Sequence, residues 1–518
     1  MLKNIKLSLT DLLGAEYAKT VASGAVFAGC LKNKEANKIL SIKQGFYPAE
    51  FAARADALVS KIGKSVIPPA ENTAKGAGTE SFKKAANMKA APVGGLAFFR
   101  IGEDGRLYLV SKSEHYHAPL GHSFPGYKLL ENASRLGIPN ATHNNTRGHI
   151  TRLAEEELVR TANGIKKTDR GALNQVLTSK EKHVLNRVIN LETGSLAVEA
   201  GLKMMLARFY KLDKTFTTPV HSGKTPVFLV MGDFEKGRNA NYHGTTIVAQ
   251  TLRGLWPEIG EKLSKAGILR SEPVAINDYS DFKRQFKKFN SGKYRVAGFL
   301  HEIIMMNYGG IKLKREYLKK AYGLCHSNGV PVLVDEIQSC MWYPGMYLFK
   351  AYGLNPDFVA IGKGFPGGQY PASKILTTAE MDNLNQFGAL VTNGQEELAS
   401  LAYLITMAFV EANGEHLGRI GRLYEAELKR LAARHRGIIT KIEGLGLLSS
   451  IFFKSEKEAS KFASKLCAEG IDISAQTYKA NCPPAALTKP PVIASKKMLK
   501  YLVSRMESVL KTMKAEQI

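Results

Sequence analysis

The stretch from Val330 to Gly368, VPVLVDEIQSCMWYPGMYLFKAYGLNPDFVAIGKGFPGG, decides the fold. It contains two short apolar runs, Val330–Val334 and Phe358–Ile361, which have the length of buried β-strands. Asp335 follows the first run directly, and Lys363 follows the second after one glycine. A hydrophobic core alone does not select charged residues at strand ends, so we expect these two side chains to serve a site.

Lys363 and Asp335 have the chemistry of a specific kind of enzyme. Gly362 and Gly364 leave little crowding around the lysine, and burial at a strand end would lower its pKa toward the free amine that attacks aldehydes. Asp335 at the neighbouring strand end can keep a ring nitrogen protonated. A reactive lysine and such a carboxylate are the two protein groups that a pyridoxal 5'-phosphate (PLP) enzyme requires, so both are predicted to be catalytic.

The same stretch carries a motif with several residues in fixed order: Asp335-Glu336-Ile337-Gln338, then Pro356-Asp357, Gly362-Lys363-Gly364 and Gly367-Gly368. It resembles the signature of the class III PLP-dependent aminotransferases, the group containing the ornithine and 4-aminobutyrate aminotransferases. The resemblance covers about residues 96–518. It implies PLP fold-type I, in the α/β class, with a large domain built on a mainly parallel sheet and a smaller α+β domain.

Composition limits the partners of this chain. Its 518 residues, 44% of them hydrophobic, are enough for a large core and more than one domain. The formal net charge of +26 would admit nucleic acid, an anionic membrane or an acidic small molecule. The lysines are spread along the whole length without a stripe of basic and aromatic residues, so we predict no nucleic-acid partner.

The cysteines and the apolar runs bear on the compartment. The five cysteines are far apart and include no CxxC pair, which argues against disulfides and a structural zinc site and for a reducing compartment. The N-terminus lacks the apolar core of a signal peptide, because Asp11 and Glu16 interrupt it. No eighteen apolar residues run together, so we predict a cytoplasmic protein with no membrane partner.

Three histidines, His115, His117 and His122, lie close together in one segment. They invite a metal site, but the segment has the composition of a loop and no second cluster stands at ligand spacing. The resemblance implies another explanation, since family members carry Gly-His and a nearby proline here, matched by Gly121-His122 and Pro125. We therefore predict no metal.

The chain is predicted to divide into four parts. Residues 1–95 form an N-terminal helical extension that ends in a loosely packed connection, from Ser65 to Val93, rich in Lys, Ala, Gly and Pro. Residues 96–155 begin the small domain, with strands Ala97–Ile101 and Arg106–Val110 forming a hairpin. Residues 156–400 are the large PLP-binding domain, and residues 401–518 complete the small domain.

In the last part, the residues from Gly414 predict an amphipathic helix, followed by strands Ile438–Ile442 and Leu447–Phe453. Two more helices are separated by Ile471–Ser474. The absence of a parallel-strand crossover in this order favours an α+β domain.

A predicted phosphate site opens a helix within Asn190–Tyr210. The helix begins with Thr193-Gly194-Ser195, whose small side chains leave backbone N–H groups available to an anion that the helix dipole also favours. A capped helix start is common in any protein. The resemblance adds that family members bind the cofactor phosphate through a similar motif here.

Further cofactor contacts are implied by the resemblance. The family has an aromatic-His-Gly sequence where this chain has Tyr242-His243-Gly244, so Tyr242 is expected to stack on the cofactor ring beside His243. Gln338 is expected to contact the ring hydroxyl. Thr392 corresponds to a threonine that reaches the phosphate in the neighbouring subunit, which implies a homodimer.

Between these motifs, predicted strands alternate with predicted helices. Pro226–Met231 and Val296–Ile304 have the composition of strands, and Arg315–Asn328 and Leu398–Val410 that of helices. Alternation of this kind predicts right-handed crossovers and a mainly parallel sheet. Ligands of such sheets bind beyond the carboxyl ends of the strands, where Asp335 and Lys363 are expected.

The predicted activity is an aminotransferase that moves an amino group from a small amino compound to a keto or aldehyde acceptor. Three departures from the family motif keep alternatives open: an arginine is missing after Cys340, a frequent glutamate is replaced by Asn307, and a C-terminal arginine by Leu487. The alternatives are an aminomutase, epimerase or decarboxylase of the same fold, or a PLP-binding protein without turnover.

The same departures bear on the substrate. In family members that act on amino acids, the C-terminal arginine commonly binds the α-carboxylate and the glutamate neutralises it. Losing both is more coherent than losing one, because either alone leaves a poorly compensated charge. We therefore expect an amine or an unusual amino compound as substrate, with Lys479 or Lys489 as possible replacements for the arginine.

Overall fold

The computed structural model describes residues 2–85, 88–112, 117–476 and 482–516. The chain divides into two compact units. The larger comprises Leu7–Lys43 and Leu129–Gly414, and the smaller comprises Met1–Lys6, Gln44–Lys128 and Glu415–Ile518. His115 and Lys479, which the sequence analysis singled out, lie outside the described residues.

A seven-stranded sheet forms the centre of the larger unit. In order across the sheet, the strands are Leu185–Leu191, Ser373–Thr378, Phe358–Ile361, Val332–Asp335, Tyr294–His301, Thr225–Met231 and Arg270–Val274. Four neighbouring pairs are parallel and two are antiparallel. The predicted α/β class with a mainly parallel sheet is confirmed.

The direction of the strands places their carboxyl ends together. Ser373–Thr378 is antiparallel to both of its neighbours, so the six other strands all point the same way. Within the stretch that decides the fold, Val334 pairs with Val359 and Asp335 with Ala360. All the residues of both strands are buried, which explains why these runs are continuously apolar rather than alternating.

One predicted strand has different bounds. The expected strand Val296–Ile304 ends at His301, and Ile304–Met305 pairs instead with Ile311–Lys312 as a separate two-stranded antiparallel sheet. The turn between them contains Gly309 and Gly310, both at positive φ, which side chains other than glycine rarely adopt. Glu302 therefore stands just beyond the end of a strand of the central sheet.

Helices of the larger unit stand before, between and after the strands of the sheet along the chain. They are Leu9–Leu13, Ala15–Phe27, Asn33–Ser41, Lys128–Arg135, His149–Ala162, Arg170–Thr178, Gly194–Leu206, Ile247–Leu252, Pro257–Lys265, Tyr279–Phe289, Arg315–Ser327, Leu348–Tyr352, Gln386–Ala389 and Glu397–Ala412. The predicted helices Arg315–Asn328 and Leu398–Val410 are confirmed within two residues. A Cβ at Gly201 would lie 2.6 Å from Leu333 Cδ1, so glycine lets its helix pack closely on the sheet.

The smaller unit has two four-stranded sheets. One has the order Ile471–Asp472, Leu107–Val110, Phe99–Gly102 and Pro92–Leu96, and the other Ile439–Leu445, Leu448–Phe453, Ala485–Thr488 and Ser474–Ala475. The predicted hairpin is confirmed, with Arg100 paired to Tyr108. Ile471–Asp472 lies parallel to Leu107–Val110, whereas the three pairs of the second sheet are all antiparallel.

The helices of the smaller unit are Ala49–Leu58, Glu80–Ala85, Gly414–Arg434, Glu456–Ala468 and Lys496–Ala515, and short 3-10 turns stand at Val59–Lys61, Met88–Ala90 and Pro125–Tyr127. Gly414–Arg434 buries the apolar face that its sequence predicts, including Leu417, Tyr424 and Leu428. The short strands Lys6–Leu7 and Gln44–Gly45 form a further two-stranded sheet.

Residues 1–95, predicted as a single extension, are divided between the two units. The connection after Ser65 is exposed over residues 64–80, but its start is held, because Val66 N–H donates to Gly105 O at 2.9 Å. The domain boundaries predicted at residues 95, 155 and 400 stay a prediction, because two compact units need not be domains that fold independently.

Candidate active site

The carboxyl edge of the central sheet gathers residues that are distant in sequence. Thr193 follows Leu185–Leu191, Tyr242 follows Thr225–Met231, Glu302 follows Tyr294–His301, Asp335 ends Val332–Asp335, and Lys363 follows Phe358–Ile361. These five strands point the same way, so their carboxyl ends meet at one edge, where such sheets bind ligands.

Lys363 has a constrained backbone at this edge. Its φ of 37° lies in the left-handed region, which costs a non-glycine residue about 1–3 kcal/mol and is concentrated at functional sites. The sequence led us to expect that the flanking glycines leave the lysine uncrowded. The structure shows instead that they are closely packed. A Cβ at Gly362 would collide with Ser373 Oγ, and one at Gly364 would lie 2.9 Å from Trp342 Cζ3. Glycine is therefore required on both sides because the surrounding packing is dense.

The electrostatic surroundings of Lys363 favour a reactive amine. Burial lowers the pKa of the Lys363 ammonium, because a charged group is poorly solvated there. The carboxylates of Glu302 and Asp335 act in the opposite direction and limit the effect. The predicted lowering of this pKa is present in the structure, and the two acids that oppose it stand close enough to interact with the amine.

Asp335 is a buried carboxylate held in place from two sides. Ile337 N–H donates to Asp335 Oδ1 at 3.0 Å, and His243 Nδ1 donates to Asp335 Oδ2 at 2.9 Å. Both His243 and Asp335 are nearly inaccessible to water, with exposed fractions of 4% and 5%. The structure thus gives His243 a definite position: it fixes the orientation of the carboxylate that the sequence analysis assigned to a ring nitrogen.

The helix Gly194–Leu206 begins beside this carboxylate. Thr193 is its N-cap and accepts a hydrogen bond from Leu196 N–H at 3.4 Å. A Cβ at Gly194 would lie 2.9 Å from Ile337 Cδ1, so the helix start packs against the turn that follows Asp335. The positive end of the helix dipole therefore lies near the predicted catalytic residues, as a phosphate site requires.

Ser195 ties the helix start to the segment that contains Tyr242 and His243. Thr245 N–H donates to Ser195 Oγ at 3.0 Å, and the Ser195 and Thr245 hydroxyls are 3.2 Å apart. Gly244 has a φ of 117°, and a Cβ there would lie 2.7 Å from Ser195 Cα. Glycine in the Tyr242-His243-Gly244 motif is thus required by the close approach of two backbones.

Tyr242 stands among the charged groups of the edge. Burial raises the pKa of its hydroxyl, and Glu302 and Asp335 act in the same direction, which places the ring near both acids. The Arg253 guanidinium carbon lies 5.2 Å from the centroid of the Tyr242 ring, a distance typical of a cation–π contact. Arg253 was not anticipated, because nothing in its local sequence indicates this contact.

Gln338 and Thr392 have contrasting surroundings. Gln338 is buried three residues after Asp335, in the same turn. Thr392 is exposed in the loop after Gln386–Ala389, and Gly394 packs that loop against the strand leading to Thr193, since a Cβ there would lie 2.9 Å from Leu191 N. The structure brings together Thr193, Gly194, Ser195, Tyr242, His243, Asp335 and Lys363 and leaves Thr392 at the surface.

Glu336 is a residue whose importance the sequence analysis missed. It is completely buried, accepts a hydrogen bond from Phe349 N–H at 2.6 Å, and also accepts one from Ser339 Oγ. Burial raises the pKa of its carboxyl to about 7. An acid between Asp335 and an apolar residue in the motif was the only signal in the sequence. Through these hydrogen bonds, Glu336 fixes the conformation of the segment between the two central strands.

His122 has a structural explanation. His122 forms an isolated bridge with Ala97 through two backbone hydrogen bonds of 2.7 and 2.8 Å in the smaller unit. Gly121 precedes it at a φ of 66°. The Gly-His pair therefore extends the edge of the small sheet through its backbone.

The residues of this edge fit PLP. A lysine with a lowered pKa can react with an aldehyde, a buried and rigidly held carboxylate can pair with a pyridinium, and a capped helix start can accept a phosphate. Glycines at 194 and 244 leave room that any Cβ would fill. The fold and this set of groups define a fold-type I PLP enzyme.

The chain belongs to the class-III aminotransferase family, whose model matches residues 103–510. The ornithine aminotransferase of Emericella nidulans is 26% identical over 294 residues, which cover 54% of this chain and 60% of the relative. The putrescine aminotransferase of Pectobacterium atrosepticum is 24% identical over 395 residues, 74% of this chain and 79% of the relative. The match thus spans less than two thirds of the first of these relatives.

A solved structure shares the fold. The ornithine aminotransferase of Toxoplasma gondii, which has partial occupancy of PLP at its active site, superposes with a TM-score of 0.65 at 19% identity and covers 85% of this chain and 99% of its own. The family match confirms class III membership, and this likeness confirms fold-type I. Within the described residues, no helix is long and apolar enough to cross a membrane.

Proposed function

We propose that this protein is a PLP-dependent aminotransferase, which transfers an amino group from a small amino compound to a keto or aldehyde acceptor. The observation that carries the proposal is Lys363, a lysine with a lowered pKa and a strained backbone that stands at the same sheet edge as the buried Asp335. Family membership supports the same reaction class.

When bound, PLP supplies an aldehyde that reacts with amines and a protonated pyridine ring that accepts electrons from the substrate Cα. In our proposal Asp335 holds the proton on the ring nitrogen, and His243 keeps the Asp335 carboxylate oriented. Gln338 and Tyr242 would position the ring from its hydroxyl side and its face.

The phosphate would be held at the start of the helix Gly194–Leu206. Backbone N–H groups at Gly194 and Ser195 point from the positive end of the helix dipole, and Thr193 caps the same turn. Ser195 also fixes Thr245 through its hydroxyl, so one contact supports both the phosphate site and the Tyr242 segment.

Lys363 has two tasks in this proposal. Its amine binds the cofactor aldehyde in the resting enzyme. When not joined to the cofactor, the amine would take the proton from the substrate Cα as general base and deliver it to the cofactor carbon that carried the aldehyde as general acid. The lowered pKa suits this role, because only the unprotonated amine can accept the proton.

The donor is expected to be an amine or an unusual amino compound. Leu487, at the position of the expected arginine, is an apolar residue buried within the strand Ala485–Thr488, and Asn307 replaces the family glutamate. The names of the relatives include ornithine and putrescine, which differ only by the α-carboxylate. Comparing kcat/KM for these two amines tests the proposal. A preference for ornithine of about a hundredfold, roughly 2.7 kcal/mol, would reveal a carboxylate-binding group and refute it.

Transamination is distinguished from its alternatives by the products. Purified protein with PLP is incubated with a panel of amines and amino acids, each with 2-oxoglutarate or pyruvate, and products are identified by mass spectrometry. An amino group recovered on the acceptor supports transamination. A rearranged, epimerised or decarboxylated donor supports the alternative enzymes, and no turnover despite bound PLP supports a non-catalytic member. Lys363→Ala is the control for chemistry that does not need the site.

The active form is proposed to be a homodimer in which Thr392 reaches the phosphate of the neighbouring subunit. The exposure of Thr392 supports this, because a residue that serves another subunit must stand at the surface. Mixed dimers of Lys363→Ala and Thr392→Ala subunits contain one site with both changes and one with neither. Random mixing should therefore restore about a quarter of wild-type activity. A fully active monomer would contradict the proposal.

We also propose a reducing compartment such as the cytoplasm. All five cysteines are free thiols, and Cys325 and Cys340 are buried in that form. When free thiols are labelled in denaturant at cell lysis, the isolated protein should carry the label on all five cysteines. A protected pair would contradict this compartment.

A further inference from the structure

Three side chains from separate segments meet in the larger unit. His183 precedes the strand Leu185–Leu191, His326 lies in the last turn of the helix Arg315–Ser327, and Asp357 precedes the strand Phe358–Ile361. His183 Nδ1 lies 2.8 Å from Asp357 Oδ1, and His326 Nε2 lies 3.6 Å from Asp357 Oδ2. One ligand atom from each of the three lies within 4.8 Å of the others.

Two imidazoles and one carboxylate form a donor set that suits a specific class of ion. Imidazole nitrogen with carboxylate oxygen is typical of Zn²⁺, Co²⁺ and Ni²⁺, whereas Mg²⁺ and Ca²⁺ prefer oxygen ligands alone. We propose that His183, His326 and Asp357 bind one divalent transition-metal ion. Asp357 belongs to the motif of the central stretch, and the proposed reaction gives none of the three side chains a role.

One of the two rings must turn before both imidazoles can bind one ion. The His183 and His326 rings are stacked, with centroids 3.8 Å apart and an angle of 21° between their planes. One nitrogen of each ring faces the same carboxylate, but an imidazole binds a metal in its own ring plane. One ring must therefore rotate about its Cβ–Cγ bond before all three donors can lie about 2.0–2.2 Å from a common centre. A bound cation between these donors replaces hydrogen bonds that are individually weaker.

Asp357 is held in place as a metal ligand requires. Val332 N–H donates to Asp357 Oδ2 at 2.8 Å, and the Asp357 backbone carbonyl accepts from Thr377 Oγ1 at 3.1 Å. Only 5% of its side chain is exposed. Contacts of this kind around a ligating carboxylate orient it and reduce the reorganisation that binding requires.

The site is accessible from one side. His183 lines a cavity of about 270 Å³ together with Asn163, Leu185, Phe349 and Lys350, and 30% of its side chain is exposed. An ion can enter from this cavity, and a water molecule from it can complete four-coordination. Three protein ligands and one open position are a common zinc arrangement.

The place of the cluster in the fold predicts a structural role. Asp357 stands at the amino end of the strand Phe358–Ile361 and Lys363 beyond its carboxyl end, so the six intervening steps separate the two by up to roughly 20 Å. The ion would connect two strands and a helix whose ligands lie as far apart as His183 and Asp357, 174 residues along the chain. It should therefore raise stability and leave the chemistry at Lys363 unchanged.

The test uses the full-length protein with PLP, stripped with chelator and titrated with Zn²⁺ and with Co²⁺. We expect one equivalent to bind with a Kd below about 10 µM and a rise in Tm of about 2–5 °C at a hundredfold excess over Kd. His183→Gln and His326→Gln should each weaken binding at least tenfold. His143→Gln, at an exposed histidine outside the cluster, is the matched control and should bind as wild type does.

Wild-type protein alone gives a second, independent reading if a variant fails to fold. X-ray absorption of the Zn²⁺ complex should show nitrogen and oxygen ligands at about 2.0–2.2 Å, with two imidazoles in the shell. Binding that is absent in wild type, binding that survives both substitutions, or a shell containing sulfur would each overturn the proposal. A loss in His143→Gln equal to that in the cluster variants would also overturn it.

Discussion

Asp335→Asn is the sharpest probe of the proposed chemistry because it changes one charge and little volume. The introduced side chain would keep an oxygen for Ile337 N–H, but its amide nitrogen would face His243 Nδ1, which now donates to a carboxylate. The His243 ring can adapt by changing its tautomer. The local cost is therefore about that of one charge-assisted hydrogen bond, roughly 2 kcal/mol of the free energy of unfolding.

The catalytic cost should be larger than the structural one. A pyridinium facing a neutral amide has lost its counter-charge in a buried site, a change that costs about 3–5 kcal/mol when one partner of a buried ion pair is removed. If that loss falls on the transition state, kcat decreases by about 150-fold to 5000-fold. Lys363 is untouched, so PLP should still become fixed to the protein on borohydride reduction.

The assay measures three quantities on the same preparation: kcat with the best donor found, PLP fixed by borohydride per subunit, and the free energy of unfolding in denaturant. His243→Ala is the companion variant, because it removes the orienting group and keeps the charge. It should lower kcat less than Asp335→Asn does. An Asp335→Asn enzyme within about tenfold of wild-type kcat would refute the assignment of Asp335 to the ring nitrogen.

Four further predictions concern the same edge. Peptide maps after borohydride reduction should find PLP fixed to Lys363. Glu302→Gln should lower the pKa of that amine further, so the rate at which added PLP becomes fixed should begin to fall at a lower pH. A shift to higher pH would contradict the second prediction. Gly244→Ala should weaken PLP binding and lower Tm, because its Cβ would lie 2.7 Å from Ser195 Cα, and unchanged values would show that the backbones separate easily. The pKa of the Glu336 carboxyl rises from 4.5 to about 7 on folding. Its contribution to stability is therefore complete below pH 4.5 and is lost as pH rises toward 7, by roughly 3 kcal/mol at most. In denaturant titrations the difference in stability between wild type and Glu336→Gln should fall over this range, and a constant difference would refute the prediction.

The local sequence determined the elements of the large sheet and the two ends that matter most. Val330–Val334 and Phe358–Ile361 are continuous apolar runs because strands buried on both faces have no polar side, and such runs can be recognised without a partner. The polar residues that end them, Asp335 and Lys363, stood out for the same reason. The helix start at Thr193 was recognisable because the residue that caps a helix lies within three residues of the N–H group that it binds.

Contacts between distant segments could not be predicted, because local sequence carries no information about what packs on it. His243 meets Asp335 across 92 residues, and the helix start at Gly194 meets the turn at Ile337. The glycines around Lys363 looked like a means of keeping the lysine uncrowded, yet they are there because Ser373 and Trp342 leave no room for a Cβ. Only the packed structure shows which of these reasons applies.

What the sequence by itself determined is the class: the order and spacing of charged residues after buried strands are written in consecutive residues, and they identify a PLP enzyme of the class III family. What only the tertiary structure decided is how those residues are held and what else the fold brings together. The sequence, searched for closely spaced cysteines and histidines, predicted no metal, while His183, His326 and Asp357 come from three segments that meet only when the sheet and its helices have assembled. Parallel strands need long connections, so side chains at their ends become neighbours through the fold and not through the chain.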